Sequence, residues 1–350
     1  MNSLTNELIQ RWRRQRSRTM LKPVHTGSYA FVGVGNHALQ NLYPALQYLG
    51  IRLKYICCNS HGKLPLIEAR FGTTATTSLE TIADDQEIKG VFVCTSPRSH
   101  FSICSRLIEA GKFVFVEKPP CLTSGELKSL IEADVYKKTM VGMQKRYSPL
   151  IQTLRERLSG NAPLSYTMTY RTGPFPEGDP LTELFIHPLD LAIHLFGAAE
   201  IKDIQQMGRN GEITLQILLT HNHVIGCMEL STAYSWSRPE ETLHVNTASG
   251  EYRLESNENL TFRPHPKKLF GIPLDKAGVH NMTEQILSER NSFIPSVTNN
   301  QLHTQGFISE IRAFADMTEK SGKNFSPLSA LTDTYRLLDI IRTKHNNHDE

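Results

Sequence analysis

Ser28-Tyr29-Ala30-Phe31-Val32-Gly33-Val34-Gly35-Asn36-His37-Ala38 is a short apolar run that ends in a glycine turn and opens a helix-like stretch over 38–48. In that strand–turn–helix setting, Gly33-x-Gly35-x-x-Ala38 carries a physical meaning. The first glycine allows a tight turn, the second lets the backbone approach a pyrophosphate, and the small Ala38 lets helix and strand pack closely. The phosphates then sit on the amino end of the helix. Gly33, Gly35, Asn36, His37 and Ala38 are therefore expected to bind a dinucleotide. A tight turn that holds no ligand is the plainer alternative.

Outward toward the carboxyl end the same alternation repeats. Strand-like runs at 53–58, 90–94, 113–117 and 139–143 are separated by helix-like stretches at 64–70, 100–110 and 125–133, with a short polar strand at 73–77. Such alternation marks right-handed βαβ units and predicts an α/β architecture, a Rossmann-type doubly wound parallel sheet over residues 28–150. Residues 151–343 read differently, with consecutive strand-like runs at 164–171, 211–219, 223–231, 242–247 and 252–255. These predict an α+β domain whose open, mostly antiparallel sheet is covered by helices on one face. Amphipathic stretches at 307–319 and 327–343 supply helices, and the last is expected to be able to pack back on the first domain. A sheet with helices for only one face predicts a homo-dimer or homo-tetramer.

Toward the amino end, residues 1–27 form an extension in which Arg11, Arg13, Arg14, Arg16 and Arg18 cluster around Trp12. No apolar run follows, so it does not read as a secretory signal. A short helical extension, solvated or docked on a neighbouring subunit, is the expected form, with an organellar transit peptide as the minor alternative.

Composition bounds the partners. Thirty-eight basic residues against 35 acidic ones are too balanced to argue for nucleic acid. No apolar run approaches the roughly 18 residues of a spanning helix, so no membrane is expected. The six cysteines (Cys57, Cys58, Cys94, Cys104, Cys121 and Cys227) show no metal-ligand spacing, and Cys57-Cys58 are adjacent. No metal and a reducing cytoplasm are the simplest reading.

The strand at 53–58 should end with the group that reads the cofactor ribose. Cys57-Cys58-Asn59-Ser60-His61-Gly62-Lys63 offers no carboxylate before Glu68. An acid there favours a free 2′-hydroxyl, whereas Ser60 and Lys63 can accommodate a 2′-phosphate. NADP is expected over NAD, which stays open, as does the reading that Lys63 merely starts a solvated helix.

Two further stretches carry chemistry. Phe113-Val114-Phe115-Val116-Glu117-Lys118-Pro119 runs an apolar strand into a charged pair at the crevice end of the sheet. A lysine there lies near the cofactor, where burial and neighbours lower its pKa and suit it to proton transfer. An ordinary strand-end ion pair is the competing reading. Farther on, Glu183, His187, Asp190 and His194 recur at helical spacing in an otherwise apolar stretch. A buried stripe of ionisable groups must be paired or must face a cavity. Pro188 disfavours helical geometry at His187, so the regular helix is expected to begin at Pro188.

Taken together these residues resemble the glucose–fructose oxidoreductase / inositol dehydrogenase (Gfo/Idh/MocA) family of NAD(P)-dependent oxidoreductases. The similarity runs through the glycine turn, Thr95-Ser96-Pro97 with His100, Ala110-Gly111-Lys112 before Glu117-Lys118-Pro119, and Met143-Gln144-Lys145-Arg146-Tyr147. It continues through Glu183-x-x-x-His187-x-x-Asp190, Gly306-Phe307 and Ser326-Pro327-Leu328. The resemblance implies cofactor contacts from Thr95, Ser96, Pro97, His100, Glu117 and Lys118. It implies that Lys118 holds or deprotonates the reacting hydroxyl, that His187 is the acid/base, and that Glu183 assists. Arg146, Tyr147, Arg171 and Asp190 would lie on the substrate side. Glu183 stands where the family more often has an aspartate. The implied activity is hydride transfer between nicotinamide and a secondary alcohol or ketone of a sugar, sugar derivative or cyclitol. Imine reduction on the same fold and a non-catalytic nicotinamide-binding regulatory protein are the alternatives. Lys118 argues against the first, and the complete set of Lys118, Glu183 and His187 argues against the second.

Overall fold

The structure is a computed structural model that describes residues 3–21, 24–209, 211–278 and 283–346, so residues 1, 2, 22 and 23 of the expected extension lie outside it. Strands β1 (Ser28–Val32), β2 (Leu53–Cys57), β3 (Thr74–Thr76), β4 (Ile88–Val93), β5 (Phe113–Glu117) and β6 (Thr139–Gly142) form a parallel sheet in the order β3-β2-β1-β4-β5-β6. Successive side chains point to opposite faces. Tyr29 and Phe31 join Phe92 and Phe115 in one core cluster, while Ala30 and Val32 join Val91, Val93, Val114 and Val116 in another. Burial on both faces is why these strands read as nearly continuous apolar runs.

Helices α1 (Ser3–Leu21), α2 (Tyr43–Leu49), α3 (Leu64–Phe71), α4 (Glu80–Ala83), α5 (Pro97–Glu109) and α6 (Ser124–Ala133) accompany this part of the chain. The stretch expected as one helix over 38–48 is a π-turn at Ala38–Leu42 followed by α2. Pro44 has no N–H to donate four residues back, which agrees with a ladder that changes register there.

The second part holds β7 (Pro163–Arg171), β8 (Glu200–Arg209), β9 (Glu212–His221), β10 (Val224–Ser231), β11 (Glu240–Thr247), β12 (Gly250–Glu255) and β13 (Asn259–Pro264). A small hairpin, β14 (Lys268–Leu269) with β15 (Ile272–Pro273), precedes β16 (Gln285–Glu289). The large sheet has the order β16-β13-β12-β11-β7-β10-β9-β8, and it is antiparallel except for the β7–β10 pair. Helices α7 (Pro149–Ser159), α8 (Ile186–Phe196), α9 (Gln301–Thr304), α10 (Phe307–Lys320) and α11 (Thr332–Asn346) complete the chain.

Helix α8 covers one face of this sheet, with Phe196 stacked on Tyr166 at 4.3 Å and Phe185, just before the helix, edge-on to Tyr170. Helices α10 and α11 return to the first sheet. Phe314 packs edge-on against Phe92 at 4.9 Å, and the Tyr335 hydroxyl donates to the Cys121 carbonyl at 2.6 Å. One apolar core therefore runs from Val116 and Val141 through Phe185 and Leu189 to Leu230 without interruption. No helix among the described residues is long and apolar enough to cross a membrane.

Candidate active site

The glycine turn meets the end of β4 closely. Gly33 has φ +118°, and a Cβ there would lie 1.9 Å from the Cys94 carbonyl oxygen. Gly35 has no atom within 4 Å of the place where a Cβ would stand. The turn opens on a cleft of about 710 Å³, walled by Gly33, Gly35, Asn36 and His37, by Asn59 and Lys63 after β2, and by Thr95, Ser96 and Ser99 after β4. Its wall contains no carboxylate. A bare glycine, a nearby helix amino end and flanking hydroxyl, amide and lysine groups fit a dinucleotide pyrophosphate and ribose.

Some expected cofactor residues take other places. Ala38 is buried behind the turn, as its packing role requires. Ser60 is not in the wall, and its carbonyl accepts from the Cys58 thiol. Pro97 serves as the first residue of α5 and also lies outside the wall, which Ser99 joins two residues later. His100 is buried with both ring nitrogens engaged: the Thr95 N–H donates to Nε2 at 3.3 Å, leaving Nδ1–H to donate to the Pro119 carbonyl at 2.7 Å. It clamps the chain beside Lys118 and is not in the cleft wall. Glu117 and Lys118 also lie beyond this wall, with Glu117 Oε1 3.4 Å from His37 Nε2.

Lys118 directly follows β5, its Nζ donating to the Glu183 carbonyl at 2.6 Å, and the Lys118–Pro119 peptide is cis. Burial lowers the pKa of the ammonium, while Glu117 and Glu183 oppose that shift. His187 comes from α8 and is buried, with Nδ1 unmatched and no hydrogen bond among the described residues. Burial, and then the charges of Lys118, Lys145 and His37, push its pKa well below the ordinary histidine range. A neutral imidazole and a lysine, one from each part of the chain, thus converge at the crevice end of the sheet.

Helix α8 begins at Ile186, two residues before the expected start, and Pro188 falls in the first turn, where an N–H is dispensable. A π-turn, Leu181–Phe185, precedes it and breaks the regular helical stripe. The Glu183 carboxylate consequently does not bond His187. It accepts from the Asp179 N–H at 3.2 Å and fills the space that a Cβ on Gly178 would need.

The expected substrate residues are each engaged by partners within the chain. Arg146 donates through Nε and Nη2 to Asp190 at 2.8 and 2.5 Å, and to the carbonyls of Phe325 and Ala330. Asp190 also accepts from Thr334, so this buried pair joins α8 to α11 and to the segment that precedes it. Tyr147 pairs its hydroxyl with Ser326 and with the Phe325 N–H. Arg171 alternates with Tyr170 and lies on the sheet face opposite α8, bound to Glu229 and Glu240. All four side chains are thus tied within the chain.

Lys145, adjacent to Arg146, acts electrostatically on both His187 and Lys118. It is buried, pairs with Glu241 and lies 5.6 Å from the Tyr170 ring centroid. The signal was present in the Met143–Tyr147 stretch: the turn after the last parallel strand carries two neighbouring cations, and their side chains diverge. Glu241 carried no such signal, because its pairing depends on the register of β11 with β7.

Residues 28–145 match the sequence model of a family described as an oxidoreductase family with an NAD-binding Rossmann fold. The chain is 30% identical over 128 residues to UDP-N-acetylglucosamine 3-dehydrogenase of Acidithiobacillus ferrooxidans, covering 35% of this chain and 40% of that protein. It is 25% identical over 143 residues to inositol 2-dehydrogenase of Rhizobium meliloti, covering 37% of this chain and 43% of that protein. The chain thus matches less than half the length of either curated relative. A dehydrogenase crystal structure from Chromobacterium violaceum superposes with a TM-score of 0.77 at 18% identity, covering 93% of this chain and 99% of that one.

Proposed function

We propose, for a chain that belongs to the Gfo/Idh/MocA oxidoreductase family, reversible hydride transfer between a nicotinamide cofactor and a carbon bearing a secondary hydroxyl or ketone in a sugar, sugar derivative or cyclitol. The observation that carries this reading is the convergence of neutral His187 with Lys118 at the crevice end of β5, beside the glycine-turn cleft. Gly33, Gly35, Asn36, His37 and Lys63 of that cleft would hold a nicotinamide cofactor, which would supply the hydride acceptor and donor. His187 takes the hydroxyl proton as the alcohol becomes a ketone and gives it back in the reverse direction. Lys118, oriented by the Glu183 carbonyl, stabilises the charge that develops on the reacting oxygen. Lys145 and Glu241 offer a donor and an acceptor for the further hydroxyls of a polyol.

The cofactor we propose is NADP(H). Asn59 and Lys63 stand in the wall after β2, and no carboxylate there repels a 2′-phosphate. We also propose a homo-dimer or homo-tetramer, formed through the sheet face opposite α8, where Leu218 and Ile225 are exposed. Titration calorimetry with both cofactors, light scattering, and nicotinamide turnover on a panel of sugars, cyclitols and their ketones test these three points. Tighter NAD(H), a 39.6 kDa monomer, or tight cofactor binding without turnover on any of the panel would each refute the corresponding statement. The last outcome leaves a nicotinamide-binding regulatory protein.

A further inference from the structure

Helix α10 is fixed at its start by Gly306, whose φ is +99° and where a Cβ would lie 2.0 Å from the Gln144 carbonyl oxygen. That contact aims the first turn of the helix at the end of the parallel sheet. Glu310, on this turn, is 0% exposed, and neither carboxyl oxygen has a hydrogen-bond partner. The charged group facing it is Glu117, also buried. Glu117 Oε2 accepts from the Lys118 N–H at 3.2 Å, whereas Oε1 lacks a hydrogen bond although His37 Nε2 stands 3.4 Å away. Space for this carboxylate is reserved by Gly142, where a Cβ would come within 3.0 Å of it. The other titratable group near Glu310 is Tyr147, whose hydroxyl is already engaged by Ser326 and the Phe325 N–H.

Two buried carboxylates that feel each other's charge are not readily ionised together without a cation between them, and no described cation touches Glu310. One proton resolves both deficits, because an acid supplies the donor that the neighbouring Oε1 lacks. We propose that Glu310 is a neutral carboxylic acid and a positioning residue: directly or through one water, it donates toward Glu117 and so fixes the carboxylate that spans Lys118 and His37 at the cofactor cleft. Burial and the charge of Glu117 both raise the Glu310 pKa, which assigns the proton to this member of the pair. Glu310 itself touches neither cofactor nor substrate. Its effect on cofactor and turnover rests on the function proposed above; its protonation does not.

The test uses the full chain. Infrared difference spectra of wild type against Glu310→Gln should show a protonated-carboxyl C=O band above the amide region, shifted in deuterium oxide and lost in the variant. Absence of that band at neutral pH overturns the inference. Glu310→Gln keeps a neutral donor, so it should bind NADPH about as wild type does. Glu310→Leu removes the donor without leaving an unpaired charge, so it should fold and yet bind NADPH about tenfold more weakly or worse. A Leu variant that binds like wild type, or a Gln variant that fails as badly as Leu, overturns the inference as well. Should the Leu variant fail to fold, the infrared band and the Gln variant still decide. If wild type binds neither cofactor, the proposed function falls, while the carboxyl band still decides the state of Glu310.

Discussion

Lys118 and His187 differ from Arg146 and Asp190 in lacking a charged partner within hydrogen-bond reach. Lys118 has a carbonyl and His187 has nothing, whereas Arg146 and Asp190 satisfy each other. Unpartnered groups that come together at the crevice end of the sheet from both parts of the chain are candidates for contact with a ligand, whereas the completed Arg146–Asp190 pair holds the fold. Lys118→Met and His187→Ala should therefore each lower kcat by roughly 10²–10⁴-fold while changing cofactor affinity far less. Their losses should combine non-additively, since both act on one oxygen. Steady-state kinetics on the true substrate check this, and near wild-type turnover in either variant would sink the assignment. Asp190→Ala should behave in the opposite manner. It leaves the Arg146 guanidinium buried and unpaired, a destabilisation of about 3–5 kcal/mol. Urea unfolding should register that loss. A raised KM at unchanged stability would instead restore Asp190 to the substrate side.

At the scale of elements, what was legible in the sequence follows burial. Strands β1, β4 and β5 are apolar on both faces, so their runs announce a parallel sheet. The glycine turn is legible because its two glycines answer to different constraints. Gly33 is held by fold geometry, and Gly33→Ala should damage the packing of β1 against β4, seen as a lowered unfolding midpoint. Gly35→Ala meets no protein atom, so it should fold normally and lose cofactor affinity by calorimetry, because its methyl group occupies the pyrophosphate approach. Equal stability losses in both variants would contradict this division. Strand β8 was not legible: it is an edge strand with mostly exposed side chains, so no alternation marks it. The π-turn before α8 was equally hidden, since helical spacing assumes the regular ladder that the turn interrupts. This is why Glu183 and His187, four apart in sequence, do not meet as side chains. Lys145 and Arg146 show the same limit within one turn, because adjacent residues point apart and sequence alone does not tell which one acts on Lys118 and His187.

The whole molecule shares one core across the sheets, and it buries histidines throughout that core and the surfaces packed on it. His25, His100, His187, His194 and His221 all have lowered pKa values, with burial the largest cause, and His194 falls to about 3. Each is neutral when folded, while the unfolded chain takes up protons below its ordinary value of about 6.5. The stability these groups allow is therefore complete above that pH and is lost as pH falls toward each folded value. Every such histidine adds up to about 1.4 kcal/mol per pH unit to the slope. Glu310 acts with the opposite sign. Its raised pKa keeps it protonated in the fold where the unfolded chain would ionise, so acidification toward its ordinary carboxyl value favours the folded state. One carboxyl cannot offset five histidines, and the net direction is loss. Urea midpoints should fall steadily from pH 7.5 to about 5.5, before most ordinary carboxylates titrate. Replacing His194 with Gln removes one titrating group from the unfolded chain and should flatten the slope by up to about 1.4 kcal/mol per pH unit. A midpoint independent of pH over that range would mean that these histidines find protonated partners in the folded chain, and the neutral His187 required for proton transfer would be in question with them.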